Sequence, residues 1–261
     1  LWFVLIFLGL FLFASLLMLL YMYIEAHLNR IILHHIALRG LDEVFEGFRI
    51  FFISDIHRRS ISPKLIDKLK ELPKVDYVVI GGDITERGVP FKRVETNLRV
   101  LSQIAPLIFI WGNHDYTVNK NRLIKTLKHY HVQVLENNCM VITRGGRTLN
   151  LAGVDDLTYE KDDLNKTLQG KADAPVILFS HNPNIKYRIT KDTGIQLVVS
   201  GHTHGGQIRL FGISLKEVGG VKRRSFGKLI ISNGYGTTRL PLRFSAKPDT
   251  LYLILNRAEK K

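Results

Sequence analysis

The chain opens on an unbroken apolar run. Residues 1–24 carry no charged side chain, and all but Gly9 and Ser15 are apolar. As a helix this run is about 36 Å long at roughly 1.5 Å per residue, more than the ~30 Å of a bilayer core. A cleaved signal peptide would have a shorter apolar core, of about 7–15 residues, ending in a small-x-small site. Here the run leads instead into Glu25-Ala26-His27-Leu28-Asn29-Arg30. The pattern predicts an uncleaved transmembrane anchor over 1–24, a polar juxtamembrane segment with little periodicity over 25–46, and one folded domain over 47–261. An N-terminal anchor commonly leaves the following domain outside the cytoplasm, which is the side expected here.

Beyond residue 46, strand-length apolar runs alternate with amphipathic stretches. Buried strands are expected at Arg49–Ser54, Tyr77–Ile80, Pro106–Trp111, Val176–Ser180 and Gln196–Ser200, because short continuous apolar runs bounded by turn residues mark strands covered on both faces. Ser62-Pro63 starts a helix that places Leu65, Ile66, Leu69 and Leu72 on one face. Two more amphipathic helices are expected over 91–104 and 121–130, and shorter ones within 161–169 and near 184–190. Gly145-Gly146 marks a hairpin between short strands, and Leu229–Ser232 and Leu251–Leu255 read as further strands. From Asp55 to Asp83 is 28 positions and from Asp83 to Asn113 is 30, the length of a βαβ unit. The expected fold is α/β: two packed mixed β-sheets flanked by helices, preceded by one transmembrane helix.

Composition narrows the function classes. A single cysteine builds neither a disulfide framework nor a thiolate zinc site. At 46% hydrophobic and 23% charged residues the chain is too apolar to be disordered. The net charge of +14 includes a run at Lys222-Arg223-Arg224. That excess is either a solvated basic surface or an attraction for phosphate-bearing partners such as anionic lipid, an envelope polymer or nucleic acid. Nucleic acid is not the expected partner, because no recognisable nucleic-acid-binding module is present. The sequence sets no oligomeric state.

The chemistry sits where the strands end. Strand one is followed by Ser54-Asp55-Ile56-His57, strand two by Gly81-Gly82-Asp83, and strand three by Gly112-Asn113-His114-Asp115. The next two are followed by Ser180-His181-Asn182-Pro183 and Gly201-His202-Thr203-His204. A lone histidine after a strand is ordinarily a surface or cap residue. Five of ten histidines in that position, beside two aspartates and an asparagine, are expected to meet in one crevice beyond the carboxyl ends of the sheet. Carboxylate, imidazole and amide oxygen without thiolate suit manganese, iron or zinc rather than a soft metal.

These motifs (D-x-H, G-G-D, G-N-H-D, a separate His and G-H-x-H, in that order) resemble the calcineurin-like metallophosphoesterase superfamily over roughly residues 48–256. The stretches Gly201–Gly206 and Asn233–Phe244 look like its bacterial membrane-associated branch, similar to hydrolases of UDP-diacylglucosamine-type pyrophosphates and other phosphodiesters. The resemblance implies two divalent metal ions. Asp55, His57 and His204 would hold one, Asn113, His181 and His202 the other, with Asp83 between them. It also implies a phosphodiester or pyrophosphate substrate, membrane- or envelope-related, attacked by a hydroxide that bridges the ions. His114 would face the substrate phosphate and act as the catalytic residue, stabilising charge or protonating the leaving group. Glu86 stands where the family often orients that histidine, and Asp115 is its alternative partner. Arg58 and Arg59 are candidate phosphate contacts, a departure from the smaller residues common there. Asp155-Asp156 either reaches the crevice or caps a turn. Two other readings stay open: a binding scaffold that keeps the fold without turnover, and a nuclease-type phosphodiesterase.

Overall fold

The computed structural model describes residues 1–258, so the last three positions of the expected domain, 259–261, lie outside the described residues. The first half of the chain runs α1 (Trp2–Ala26), β1 (Ile31–Leu38), β2 (Arg49–Ile53), α2 (Pro63–Lys70), β3 (Tyr77–Ile80), α3 (Phe91–Ser102), β4 (Leu107–Ile110), α4 (Lys120–His129) and β5 (Gln133–Leu135). The second half runs β6 (Asn138–Arg144), β7 (Arg147–Gly153), α5 (Leu164–Leu168), β8 (Val176–Phe179), β9 (Ile195–Ser200), β10 (Gly220–Arg224), β11 (Gly227–Ile231) and β12 (Thr250–Arg257). Two six-stranded mixed sheets result, ordered β1-β12-β2-β3-β4-β5 and β10-β11-β9-β8-β7-β6.

Strand alternation sorts the apolar residues into three layers. In β2, Ile50 and Phe52 enter the core between the sheets, while Phe51 and Ile53 face α2, α3 and α4. In β8, Ile177 and Phe179 meet the same central core, while Val176 and Leu178 face the outer cover of the second sheet. Both faces of these strands are therefore apolar, which is why their sequences read as continuous runs rather than alternations. The helices follow their stripes: Leu65 and Leu69 of α2, Val94, Leu98 and Leu101 of α3, and Leu123 and Leu127 of α4 are buried. The hairpin at Gly145-Gly146 joins β6 to β7. The helix expected near 184–190 is a single 3-10 turn, Pro183–Tyr187.

One expectation is corrected. Residues 25–46 are not a structureless connector. They contain β1, paired in parallel along its whole length with β12, and a 3-10 turn that buries Phe45. Ile32, His34, Ile36 and Leu38 take the inward positions of β1, with Ile36 and Leu38 fully in the central core. A histidine in an inward position and an exposed Leu33 in an outward one hide the period of two. The domain thus begins about sixteen residues before residue 47.

Helix α1 is long and apolar enough to cross a membrane, and its apolar window is unburied. Its C-terminal end touches the domain, and Glu25 and Ala26 there are buried. Glu25 Oε1 accepts from the Ala246 backbone N–H at 2.9 Å, and the Arg243 N–H donates to the Met22 carbonyl at 3.1 Å.

Candidate metal and active site

The five motifs meet at one end of the two sheets. Asp55 and His57 leave β2, Asp83 leaves β3, and Asn113 and His114 leave β4; from the second sheet, His181 leaves β8, and His202 and His204 leave β9. Two glycines allow so close an approach. At Gly82, with φ +87°, a Cβ would press on the His181 ring, and at Gly112 a Cβ would run into the Asp83 carboxylate. The backbone is bent to aim the donors. Asp55, His57, Asp83, His202 and His204 all have φ between 51° and 68°, a region that costs an L-residue of this kind on the order of 1 kcal/mol or more. The surrounding chain holds them there: the His57 N–H donates to the Asp83 carbonyl at 3.1 Å, and the His202 N–H to the Asp55 carboxylate at 3.1 Å.

The donor atoms form two adjoining groups. His57 Nε2 is 3.1 Å from His204 Nε2, which is 3.3 Å from Asp55 Oδ1. His202 Nδ1 is 2.9 Å from Asn113 Oδ1 and 3.2 Å from His181 Nε2. Asp83 Oδ2 reaches both groups, 3.6 Å from His57 Nε2 and 3.2 Å from His181 Nε2. Metal–ligand bonds of about 2.1 Å meeting near right angles put neighbouring donors about 3 Å apart. Facing lone pairs at these separations, all oxygen and imidazole nitrogen, fit hard or borderline divalent cations.

The groups behind the donors set which nitrogen is free. His181 Nδ1 lies 2.9 Å from the Gly81 carbonyl, so it carries the proton and Nε2 faces the cluster. His57 Nδ1 lies 3.0 Å from Glu86 Oε2, an ion-pair distance that leaves Nε2 facing the cluster. Such partners orient a ligating ring and raise its basicity. Burial alone would raise the Asp83 carboxyl, but the charges of His181, His57 and His114 beside it hold it far below the usual carboxylate range. Burial would lower His181, and Asp83 reverses this and pushes it up to about 10. His202 is drawn down to about 4, first by burial and then by charge on His181. His204 falls well below its ordinary value through burial, then through His57 and Arg243. The Asp83 carboxylate thus favours positive charge beside it, as a site suited to cations should.

Several residues sit elsewhere than the sequence reading placed them. Glu86 does not orient His114. Its carboxylate reaches back to His57 and forms an ion pair with Arg58. Asp115 does not hold His114 either. It accepts from the backbone N–H groups of Asp83 at 2.7 Å and Gly112 at 3.0 Å, fastening the loops after β3 and β4 together. Arg59 is turned away from the site. Its guanidinium bonds the carbonyls of Ala26, His27, Leu28 and Tyr235 and stacks 3.7 Å over the Tyr235 ring. Asp155 accepts from the Tyr116 hydroxyl at 2.7 Å, and Asp156 caps the Tyr159 N–H at 3.1 Å, so both serve a neighbouring turn. Lys222 and Arg224 lie on the edge strand β10 and pair with Glu217.

His114 does stand at the open side. Its backbone N–H donates to Asp83 Oδ1 at 2.7 Å, its ring is 4.9 Å edge-on from His57, and it is half-buried where the ligand candidates around it are mostly buried. It lines a cavity of about 690 Å³ together with His204, Arg58, Arg87, Lys216 and Arg239. The last three were not identified from sequence, because nothing local ties loops 130 residues apart to one cavity. Arg243 was also missed. Fully buried, it donates to the carbonyls of His204 at 3.0 Å, Asn233 at 2.7 Å and Gly236 at 2.7 Å. Its only signal was its place inside Asn233–Phe244.

Comparison with known proteins adds an independent line. A family model described as calcineurin-like phosphoesterase matches residues 48–206. The chain is 42% identical over 206 residues to an uncharacterised Bacillus subtilis protein, YpbG, covering 77% of this chain and 78% of that one. It is 33% identical over 172 residues to the Escherichia coli phosphodiesterase YaeI, covering 62% and 63%. A zebrafish transmembrane protein with a metallophosphoesterase domain is 30% identical over 251 residues, covering 85% of this chain but only 56% of that one. Among solved structures, a 5'-nucleotidase precursor from Thermus thermophilus superimposes with a TM-score of 0.50 at 14% identity, covering 80% of this chain and 55% of that one, a likeness of fold alone.

Proposed function

The chain belongs to the calcineurin-like phosphoesterase family and is a metal-dependent phosphoesterase; on that premise we propose a membrane-anchored, dinuclear phosphohydrolase that cleaves a phosphodiester or pyrophosphate at the bilayer surface. The observation that carries this reading is the convergence of Asp55, His57, His204, Asn113, His181 and His202 around Asp83, beside a cavity walled by His114 and four basic side chains. Asp55, His57 and His204 would hold one cation and Asn113, His181 and His202 the other, with Asp83 within reach of both groups. Bound there, two divalent ions supply Lewis acidity toward the phosphoryl oxygens and make water a nucleophile at neutral pH.

The chain's own groups do the rest. Glu86 and the Gly81 carbonyl keep the ring protons of His57 and His181 on Nδ1. Arg58, Arg87, Lys216 and Arg239 put positive charge around the bound phosphate without closing the cavity. His114 reaches the substrate from the open side, where it stabilises charge on the phosphoryl oxygens and delivers a proton to the departing oxygen. Helix α1, apolar and unburied over most of its length, holds the domain at the membrane.

The test is a substrate screen of the purified full-length protein loaded in turn with Mn²⁺, Fe²⁺ and Zn²⁺. Its arms are phosphomonoesters, chromogenic diesters, nucleotide sugars including a UDP-diacylglucosamine-type pyrophosphate, and phospholipids. Turnover of a diester or pyrophosphate above monoesters, abolished by chelation, is the expected result. Stoichiometric metal with no turnover on any arm would leave a silent scaffold instead. DNA cleavage that rises as salt is lowered, in step with binding, would favour a nuclease.

A further inference from the structure

Immediately after His204 the chain does something unusual for a soluble surface. Residues 207–216 (Gln-Ile-Arg-Leu-Phe-Gly-Ile-Ser-Leu-Lys) contain no acidic side chain, and Ile208, Leu210, Phe211, Ile213 and Leu215 are all exposed. Phe211 is 98% exposed. This is a built element. Leu210 pairs with Ile213, whose N–H donates to the Leu210 carbonyl at 2.9 Å, closing a two-residue turn with φ of 52° at Phe211 and 78° at Gly212. Turns of that kind favour asparagine, aspartate or glycine at both central positions. A bulky aromatic ring strained onto the apex of an exposed hairpin is the opposite choice. Leu240, 63% exposed, stands beside the same cavity. Contiguous exposed apolar groups rimmed by basic ones mark an interaction surface.

Where the hairpin is rooted says what covers it. The segment leading into the turn is bonded to residue 244: the Arg209 N–H donates to the Phe244 carbonyl, and the Phe244 N–H to the Gln207 carbonyl, each at 2.9 Å. The Phe244 ring in turn packs edge-on against Tyr21 of α1, with centroids 6.1 Å apart, and the Arg243 N–H bonds the Met22 carbonyl. Tyr21 precedes the end of α1 by five residues, about 8 Å at roughly 1.5 Å per residue. The hairpin therefore leaves the domain at the level of the last turns of α1, where Tyr21 and Tyr23 stand as aromatic residues do at a membrane–water interface. Arg209 and Lys216 belong to the same segment and Arg239 lines the adjoining cavity, cations suited to anionic headgroups.

We propose that the Leu210–Leu215 hairpin, with Leu240, is a second membrane contact that lays the mouth of the cavity on the bilayer crossed by α1. The inference rests on the reading of α1 as a membrane span. Its consequence concerns substrate presentation. Ile208, Lys216, Arg239 and Leu240 line the same cavity as His114 and His204. A bilayer seated on the hairpin opens that cavity onto the headgroup layer, so a phosphodiester or pyrophosphate carrying acyl chains enters head-first while its chains stay in the lipid.

The experiment uses the full chain in a Cys139→Ser background, reconstituted in vesicles of phosphatidylcholine and phosphatidylglycerol. Nitroxides are placed through Phe211→Cys, Leu12→Cys or Val44→Cys, and their accessibility to oxygen and to a water-soluble nickel complex gives depth. The Phe211 label should be shielded from nickel and open to oxygen at shallow depth, the Leu12 label deep, and the Val44 label, on an exposed turn before β2, aqueous. An aqueous Phe211 label beside a deep Leu12 label overturns the hairpin contact and leaves the anchor standing. An aqueous Leu12 label overturns the anchor and this inference with it. Dipolar broadening at the Phe211 label, independent of lipid, would assign the hairpin to a second copy of the chain and overturn the proposal. A paired Phe211→Ser, Leu215→Ser variant should lose roughly tenfold or more in turnover of a vesicle-embedded lipid phosphodiester, with a water-soluble chromogenic diester cleaved as before. Equal loss on both substrates counts against it.

Discussion

The buried cluster at the strand ends and the hairpin next to it break the ordinary partition of residues in opposite directions. At the first, Asp55, His57, Asp83, His181 and His204 are polar or charged and almost entirely buried. At the second, just after His204, Phe211, Ile213 and Leu215 are apolar and stand in the open. Each is unfavourable for a folded chain alone in water: buried charge forfeits hydration, and exposed apolar surface forgoes the gain of burial. In both places the backbone also enters the left-handed region at non-glycine residues. What differs is the missing partner. The oxygen and imidazole donors of the cluster suit cations, whereas the hairpin has basic residues beside it and suits an apolar neighbour. Buried polar groups and exposed apolar patches are the informative exceptions to residue partition, and here they point to two different environments, a pair of cations and a lipid surface.

Substitutions at the cluster sharpen this contrast in order of size. Asp83→Asn removes the charge shared by the two donor groups, and hydrolysis should fall by roughly a thousandfold or more, with metal per chain below that of the wild type by elemental analysis. Retained activity would break the assignment of Asp83 as the shared ligand. His114→Ala should lower kcat by about 10²–10⁴-fold while metal content stays unchanged, because His114 faces the cavity. Loss of metal in that variant would make it a ligand instead. Glu86→Gln should weaken metal affinity by about 10–100-fold, read as a higher metal concentration for half-maximal rate with nearly full activity at saturation.

The smallest of these effects lies where α1 meets the domain. Arg59→Ala leaves the carbonyls of Ala26, His27, Leu28 and Tyr235 without their donor. Stability should fall by about 1–3 kcal/mol, measured as a lower Tm in detergent, with metal content unchanged. An Arg59→Ala protein of normal Tm but impaired substrate binding would return Arg59 to the site.

The legible part of the molecule was the part whose signal is local. The βαβ lengths, the apolar stripes of α2, α3 and α4, and runs such as Tyr77–Ile80 follow from period and turn residues within a short window. The polar residues at the strand ends were visible for the same reason, since parallel strands carry the two or three residues after them to the same edge of the sheet. Strand β1 was hidden because its partner β12 lies over 200 residues away and His34 interrupts its inward face.

By itself, then, the sequence determined the layers, the apolar N-terminal helix and the set of candidate donors, because residue type and spacing act through neighbours along the chain. Only the tertiary structure decided which of those residues meet. It turned Glu86 from His114 to His57, gave Arg59 to the base of α1, placed Arg243 behind His204, and rooted the apolar hairpin on Phe244 beside Tyr21. Those choices depend on where loops from two different sheets cross, and crossing points are set by the packing of whole layers rather than by any run of residues.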